Sequence, residues 1–209
     1  LLHLILLRKT YSLKSLKNSI QKLFDAGLCL GISFLLEPVT LVFILLLYAG
    51  IFFYLKGTIH EFFTPIVGFI APLIPYFTYC FWFDKTAVFT HLFNFEITNS
   101  TFYYVENNSF WFIGSMLFFT LLAIVLKTPK TLSVSNSFMK KWFLLIIQTI
   151  IAIVFIIITP QKNMSELLFL FFPASIIIAN WLEIIKRNII TEIALISMLV
   201  GVIYCRFFL

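Results

Sequence analysis

Residues 140–160 read KKWFLLIIQTIIAIVFIIITP. Two lysines lead into a stretch without a charge, Trp142–Thr159, and Thr159-Pro160 closes it. An α-helix rises about 1.5 Å per residue, so this stretch reaches about 27 Å. That is close to the ~30 Å hydrocarbon core of a bilayer. Inside that core water cannot satisfy peptide groups, and a helix pairs them within the segment. We therefore read Trp142–Thr159 as a membrane-crossing helix and look for others like it.

The rest of the chain repeats the pattern. Leu1–Leu7 reads as the tail of a preceding helix, and because the chain opens inside an apolar run we expect leading helices before it. Further helical stretches are expected at Ile20–Leu36, Pro38–Leu55, Phe62–Phe83, Phe110–Leu126, Leu167–Ile185 and Ile189–Tyr204. The expected fold is all-α, a polytopic transmembrane bundle in a single domain, 1–209, with about six complete crossings among these seven stretches. Composition agrees: 61% of the 209 residues are hydrophobic, 11% are charged, and the mean hydropathy is +1.04. A soluble domain carries about 25% charged residues.

The loops give an independent check. Summing Lys and Arg over alternate connections places twelve on one side and three on the other. The lysine-rich side of a membrane protein faces the cytoplasm. Loops 8–19, 56–61, 127–141 and 186–188 are thus expected to be cytoplasmic, and loop 84–109 periplasmic. Trp82, Trp111, Trp142 and Trp181 fall near expected helix ends, where an indole suits the headgroup level. The net charge of +6 is accounted for by these flanks, and no basic segment is long enough for a nucleic-acid groove.

Loop 84–109 is too polar to span and too aromatic to wave freely in water. Phe89, Phe93, Phe95, Phe102, Tyr103 and Tyr104 suggest a segment lying on the outer leaflet. Phe93, Phe95 and Ile97 also alternate like a strand with a turn at Asn99-Ser100; the interfacial reading is preferred. Asn99-Ser100-Thr101 and Asn107-Asn108-Ser109 match a glycosylation pattern.

Several residues are candidates for chemistry. Glu37, Asp84 and His91 would lie on the outer side, as catalytic or binding groups. The bland alternative for Glu37 is that Glu37-Pro38 simply opens the next helix. Asp25, Asn180, Glu183, Arg187 and Glu192 could form a polar intramembrane cluster, because ionisable groups at such depth are costly and tend to face a cavity or partner. The alternative is internal pairing with Lys22, Lys186 and Arg187. Pro65, Pro72, Pro75 and Pro173 would kink their helices. Gly27 and Gly31 form a GxxxG spacing that lets two helix backbones meet. Cys29, Cys80 and Cys205 form no CxxC, and His3, His60 and His91 have no metal-ligand spacing, so neither metal nor cofactor is expected.

Three stretches carry a resemblance. They are Ser12-Leu13-Lys14-Ser15 with Lys22-Leu23-Phe24-Asp25-Ala26-Gly27 and Gly31-Ile32; Pro65-Ile66-Val67-Gly68-Phe69-Ile70-Ala71-Pro72; and Phe171-Phe172-Pro173-Ala174-Ser175 with Ala179-Asn180-Trp181-Leu182-Glu183. Together they resemble an uncharacterised family of polytopic inner-membrane proteins from Bacteroidota. The resemblance implies an envelope setting and brings no catalytic residue. Three functions are left in competition. The first is a non-catalytic subunit or scaffold of an envelope complex, with other membrane proteins as partners. The second is a membrane-embedded enzyme acting on a lipid-linked sugar. The third is a small-solute transporter.

Overall fold

In a computed structural model, residues 1–94, 110–132, 135–160 and 166–183 are described. The chain divides into two compact units, Leu1–Ile97 and Thr98–Leu209. Every regular element among the described residues is helical.

The first unit contains α1 (Leu2–Ser12), α2 (Ser19–Leu36), a 3₁₀ stretch (Pro38–Phe43) running into α3 (Ile44–Tyr54), α4 (Ile59–Trp82) and the short α5 (Thr86–His91). Contacts fix the directions. His3 stacks edge-on against Phe43, 4.2 Å between ring centroids, and Thr10 lies against Gly50, so α1 and α3 run parallel. Lys9 reaches Asp25, so α2 runs against α1. Gly27 meets Pro65 and Gly31 meets Phe69 and Pro72, so α2 and α4 run parallel and α3 is the return between them.

That return is only a short helix with a 3₁₀ start, where the sequence suggested one helix from Pro38 to Leu55. The 3₁₀ form rises about 2.0 Å per residue. Pro38–Tyr54 therefore reaches about 28 Å, roughly as far as the longer α2 beside it. Pro38 suits this start, since its missing N–H belongs to a helix's first turn. The core at the near end of the unit is Leu13, Leu23, Ala26, Leu47 and Ile51, with Tyr48, Tyr54 and Leu55 against it.

α4 begins three residues earlier than the apolar run suggests. Thr58 and Glu61 form a capping box there, in which the Thr58 amide donates to the Glu61 carboxylate at 2.8 Å, satisfying an orphan donor of the first turn. The helix runs on through Pro65, Pro72 and Pro75. It buries one narrow stripe, with Pro65, Gly68 and Cys80 as its fully enclosed members. Its remaining surface is apolar and open, including Phe63, Val67, Ile74 and Trp82. Loop 84–109 contains a helix that the sequence did not suggest. α5 folds back so that Phe89 packs on Phe77 at 5.0 Å and on Phe93 at 5.5 Å. Phe93 in turn meets Phe34 of α2 at 5.6 Å. Phe95, Ile97 and the rest of the loop to Ser109 lie outside the described residues.

The second unit contains α6 (Phe110–Leu132), α7 (Asn136–Ile158) and α8 (Leu167–Leu182). Phe155 packs on Phe169 at 4.8 Å, so α7 and α8 are antiparallel. Lys127, late in α6, bonds Asn180, late in α8, so α6 and α8 are parallel with α7 as the return. The expected loop 127–141 is mostly helix: α6 continues past Lys127 and through Pro129, and α7 starts at Asn136 rather than Trp142. Trp142 is only 1% exposed and packed inside the unit, whereas Trp82 is 81% exposed. The expected helix Ile189–Tyr204, with Arg187, Glu192 and Cys205, lies outside the described residues.

Four described helices are long and apolar enough to cross a membrane: Ser19–Leu36, Ile59–Trp82, Ile113–Thr131 and Asn136–Ile158. Pro38–Tyr54 and Leu167–Leu182 are shorter apolar helical stretches.

Candidate functional site

Lys127 is a buried charged residue of the second unit. It sits on a face of α6 built from Thr120, Ala123, Lys127 and Thr131, at spacings of three and four, and all four are buried. Its Nζ donates to the Asn180 carbonyl at 2.5 Å and approaches Asn180 Oδ1 at 3.2 Å. The same ammonium stands 5.4 Å from the Phe138 ring centroid and 5.5 Å from that of Trp142, inside the range in which aromatic faces attract cations. Phe138 and Trp142 are four apart on α7, so one helical face presents both rings. Trp142 Nε1 is 3.2 Å from Thr128 Oγ1, and Asn180 Nδ2 donates to the Ile176 carbonyl at 2.8 Å. One ammonium thus joins three helices.

The chemistry follows from the position. The last carbonyls of a helix lack intrahelical donors and carry the negative end of its dipole. Asn180 is in the last turn of α8, so Lys127 caps that helix from its neighbour. At the centre of a membrane helix a lysine would cost about 2.5–3.5 kcal/mol; Lys127, late in α6, costs less than that. A charge-assisted hydrogen bond recovers about 1.5–3 kcal/mol of that, and the two rings add to it. Reasoning from sequence treated Lys127 as a loop charge. The signals that could have found it were the Thr120-Ala123-Lys127-Thr131 face and the Phe138/Trp142 pair.

The expected polar cluster is distributed over both units. Asp25 belongs to the first, where it pairs with Lys9 at 2.5 Å, each side chain about one-third exposed. Such a half-solvated pair stabilises by about 1 kcal/mol or less. Lys22, one turn earlier on α2, donates to the carbonyls of Ser12 and Ser15 at 2.9 and 2.8 Å and to Ser15 Oγ at 2.6 Å. Asn180 and Glu183 belong to the second unit, where Glu183 is exposed just past the end of α8.

Glu37, Asp84 and His91 lie toward the opposite end of the first unit, after α2 or after α4. Glu37 is half-buried with an extended backbone, and its carbonyl accepts from Thr40 Oγ1 at 2.7 Å. Asp84 has a defined backbone task. With φ 52°, it follows α4 in the left-handed conformation, while Lys85 N–H reaches the Cys80 carbonyl at 2.8 Å and Asp84 N–H the Phe81 carbonyl at 3.3 Å. This is a Schellman ending, which glycine fills most easily. Asp84→Gly is therefore expected to raise stability by about 1 kcal/mol. A matching rise in the thermal midpoint with biological activity intact would mark Asp84 as a cap, and loss of activity without loss of fold would mark it as a working carboxylate. His91 ends α5 and is exposed.

Gly27, Gly31 and Gly68 form a backbone-to-backbone crossing of α2 and α4. A Cβ on Gly27 would strike the Pro65 carbonyl, one on Gly31 would come 2.6 Å from Pro72 Cγ, and one on Gly68 would come 3.1 Å from the Leu28 amide nitrogen. Pro65 and Pro72 face this crossing, Pro75 is exposed, and Pro173 is buried inside α8. Cys29 and Cys80 are buried free thiols. Among the described residues, no group of three or more His, Cys, Asp or Glu side chains could hold a metal ion.

These features define an all-helical protein with the helix lengths and composition of an integral membrane protein. Residues 1–208 match the family of unknown function DUF6427, and the chain belongs to that family. No curated protein and no solved structure matches it.

Proposed function

We propose that this protein is a non-catalytic subunit or scaffold of a complex in the inner membrane of a Gram-negative cell of the Bacteroidota, crossing the bilayer about six times. The observation that carries this reading is where the polar bonds go. Lys127, Lys9 and Lys22 each tie one helix to a neighbouring helix or turn. Charge used in this way fixes a shape and leaves large apolar faces, such as that of α4, as the surfaces on offer. The lysine- and arginine-rich loops 8–19, 56–61, 127–141 and 186–188 face the cytoplasm in this reading, and loop 84–109 is periplasmic.

The test is gentle detergent extraction of the tagged protein from native membranes, with mass spectrometry of what copurifies. A membrane-protein partner at stoichiometric amount supports the subunit reading. A lone protein carrying a polyprenyl-linked sugar overturns it in favour of an enzyme, with Glu37 as the first residue to substitute. A lone protein with ordinary lipids overturns it in favour of a transporter.

A further inference from the structure

The antiparallel α1 and α2 meet at residues 13–18, and the parallel run of α2 and α4 brings the α3–α4 link, 55–58, to the same end of the first unit. This end carries Arg8, Lys9, Lys14, Lys17, Lys22 and Lys56 against two carboxylates, Asp25 and Glu61. Both carboxylates are already engaged, Asp25 by Lys9 and Glu61 by the Thr58 amide. Arg8, Lys14, Lys17 and Lys56 are exposed.

The turn that holds Lys14 and Lys17 has a set shape. Lys22 grips it through the carbonyls of Ser12 and Ser15 and through Ser15 Oγ. Leu13 is buried under it at 1% exposure, and Asn18 closes it in the left-handed conformation at φ 54°. Leu16, 68% exposed, stands between the two lysines in the sequence, and Ile20, 55% exposed, follows on α2. An exposed leucine between two cations suits the boundary of a bilayer, where the apolar group enters among acyl chains and the ammonium groups stay at phosphate depth.

We infer that the α1–α2 turn is a docking surface for anionic phospholipid headgroups, with Lys14 and Lys17 taking the phosphate charge, Arg8 and Lys56 adding to the local field, and Leu16 anchoring the turn in the leaflet. The charge complementarity is what selects this occupant over a zwitterionic lipid. The inference rests on the chain being embedded in a membrane, and it stands whether or not the chain is a subunit of a complex.

The experiment uses the purified full chain in mild detergent. Phosphatidylglycerol or phosphatidylcholine is titrated in, and bound lipid is counted by native mass spectrometry. The wild-type chain is expected to prefer phosphatidylglycerol, and Lys14→Gln/Lys17→Gln to lose most of that preference. Lys140→Gln/Lys141→Gln, which removes the same charge from the second unit, is expected to leave most of the preference in place. Leu16→Ser is expected to shorten retention of phosphatidylglycerol while keeping the preference. The inference is overturned if the wild-type chain holds both lipids equally, if the Lys14/Lys17 variant keeps its preference, or if the Lys140/Lys141 variant loses as much. Failure here with a protein partner still recovered from native membranes would leave the subunit reading intact.

Discussion

Leucine at position 27 is expected to prevent the first unit from assembling. The group that a Cβ at Gly27 would strike is the Pro65 carbonyl, with the Pro65 carbonyl carbon and Cα at 3.0 Å. A backbone carbonyl cannot turn aside as a side chain can. The helices must separate, and with them the Gly31 contact to Phe69 and Pro72 and the Gly68 contact to Phe24 and Leu28. Overpacking in a well-filled site costs about 1–3 kcal/mol. Here the branched side chain adds to a clash already made by its first carbon, so a loss above about 4 kcal/mol is expected, the range in which a single change unfolds a domain. Gly27→Ala is expected to fold with a lowered thermal midpoint. Gly114 is the control. It is also helical, and among the described residues no atom would lie within 4 Å of its Cβ. Gly114→Ala should stabilise by up to about 1 kcal/mol through helix propensity alone. Thermal unfolding in detergent that gave Gly27→Leu and Gly114→Ala the same midpoint would show that the α2–α4 crossing is not as close as described.

Reversing the charge at Lys127 should have an effect of similar size in the second unit. Lys127→Met keeps most of the stem and removes the ammonium, leaving the Asn180 carbonyl and Oδ1 without their donor at the end of α8. Its expected cost is about 1–3 kcal/mol. Lys127→Glu sets a carboxylate against two oxygens of Asn180 and against the negative faces of Phe138 and Trp142, with Glu183 one turn further along α8. That variant is expected to lose the second unit's fold, at a cost above about 4 kcal/mol. Lys130→Glu, an exposed position three residues on, is the comparison and should cost about 1 kcal/mol or less. Comparing thermal midpoints and protease resistance of the three variants would decide. Equal behaviour of Lys127→Glu and Lys130→Glu would mean that Lys127 does not hold the three helices together.

The two sites differ in how far the sequence disclosed them. Apolar run length gave α2 nearly whole and the apolar part of α7, because a span's requirement is a continuous property of the chain. Gly27 and Gly31 were visible as a spacing, yet their counterpart was not, since Pro65 and Gly68 lie in another helix and parallel packing is a tertiary fact. Helix ends were misread where local signals conflict. The apolar run ends at Leu126 where Lys127 follows, but α6 carries on through Pro129, where a Pro in a long helix removes only one donor. Lys127 was lost with that boundary, because a lysine inside a loop and a lysine inside a helix look alike until its neighbours at three and four residues are placed on the same face. The burial of Trp142 was hidden in the same way, because its partner, the Lys127 ammonium, belongs to another helix.

The parallel pairing of α2 with α4 also sets an order of events in time. Pro65 leaves the ribosome about 38 residues after Gly27, a delay of about 2–8 s at a synthesis rate of about 5–20 residues per second. In that interval α1 and α2 can already close as a hairpin, since Lys9, Asp25, Ser12, Ser15 and Lys22 are all present in the first 25 residues described. The glycine groove of α2 stays open to lipid until α3 has turned back and half of α4 has emerged. Insertion of α4 is thus the step that commits the first unit, and a pause in translation between Gly57 and Pro72 would prolong the exposure of that groove.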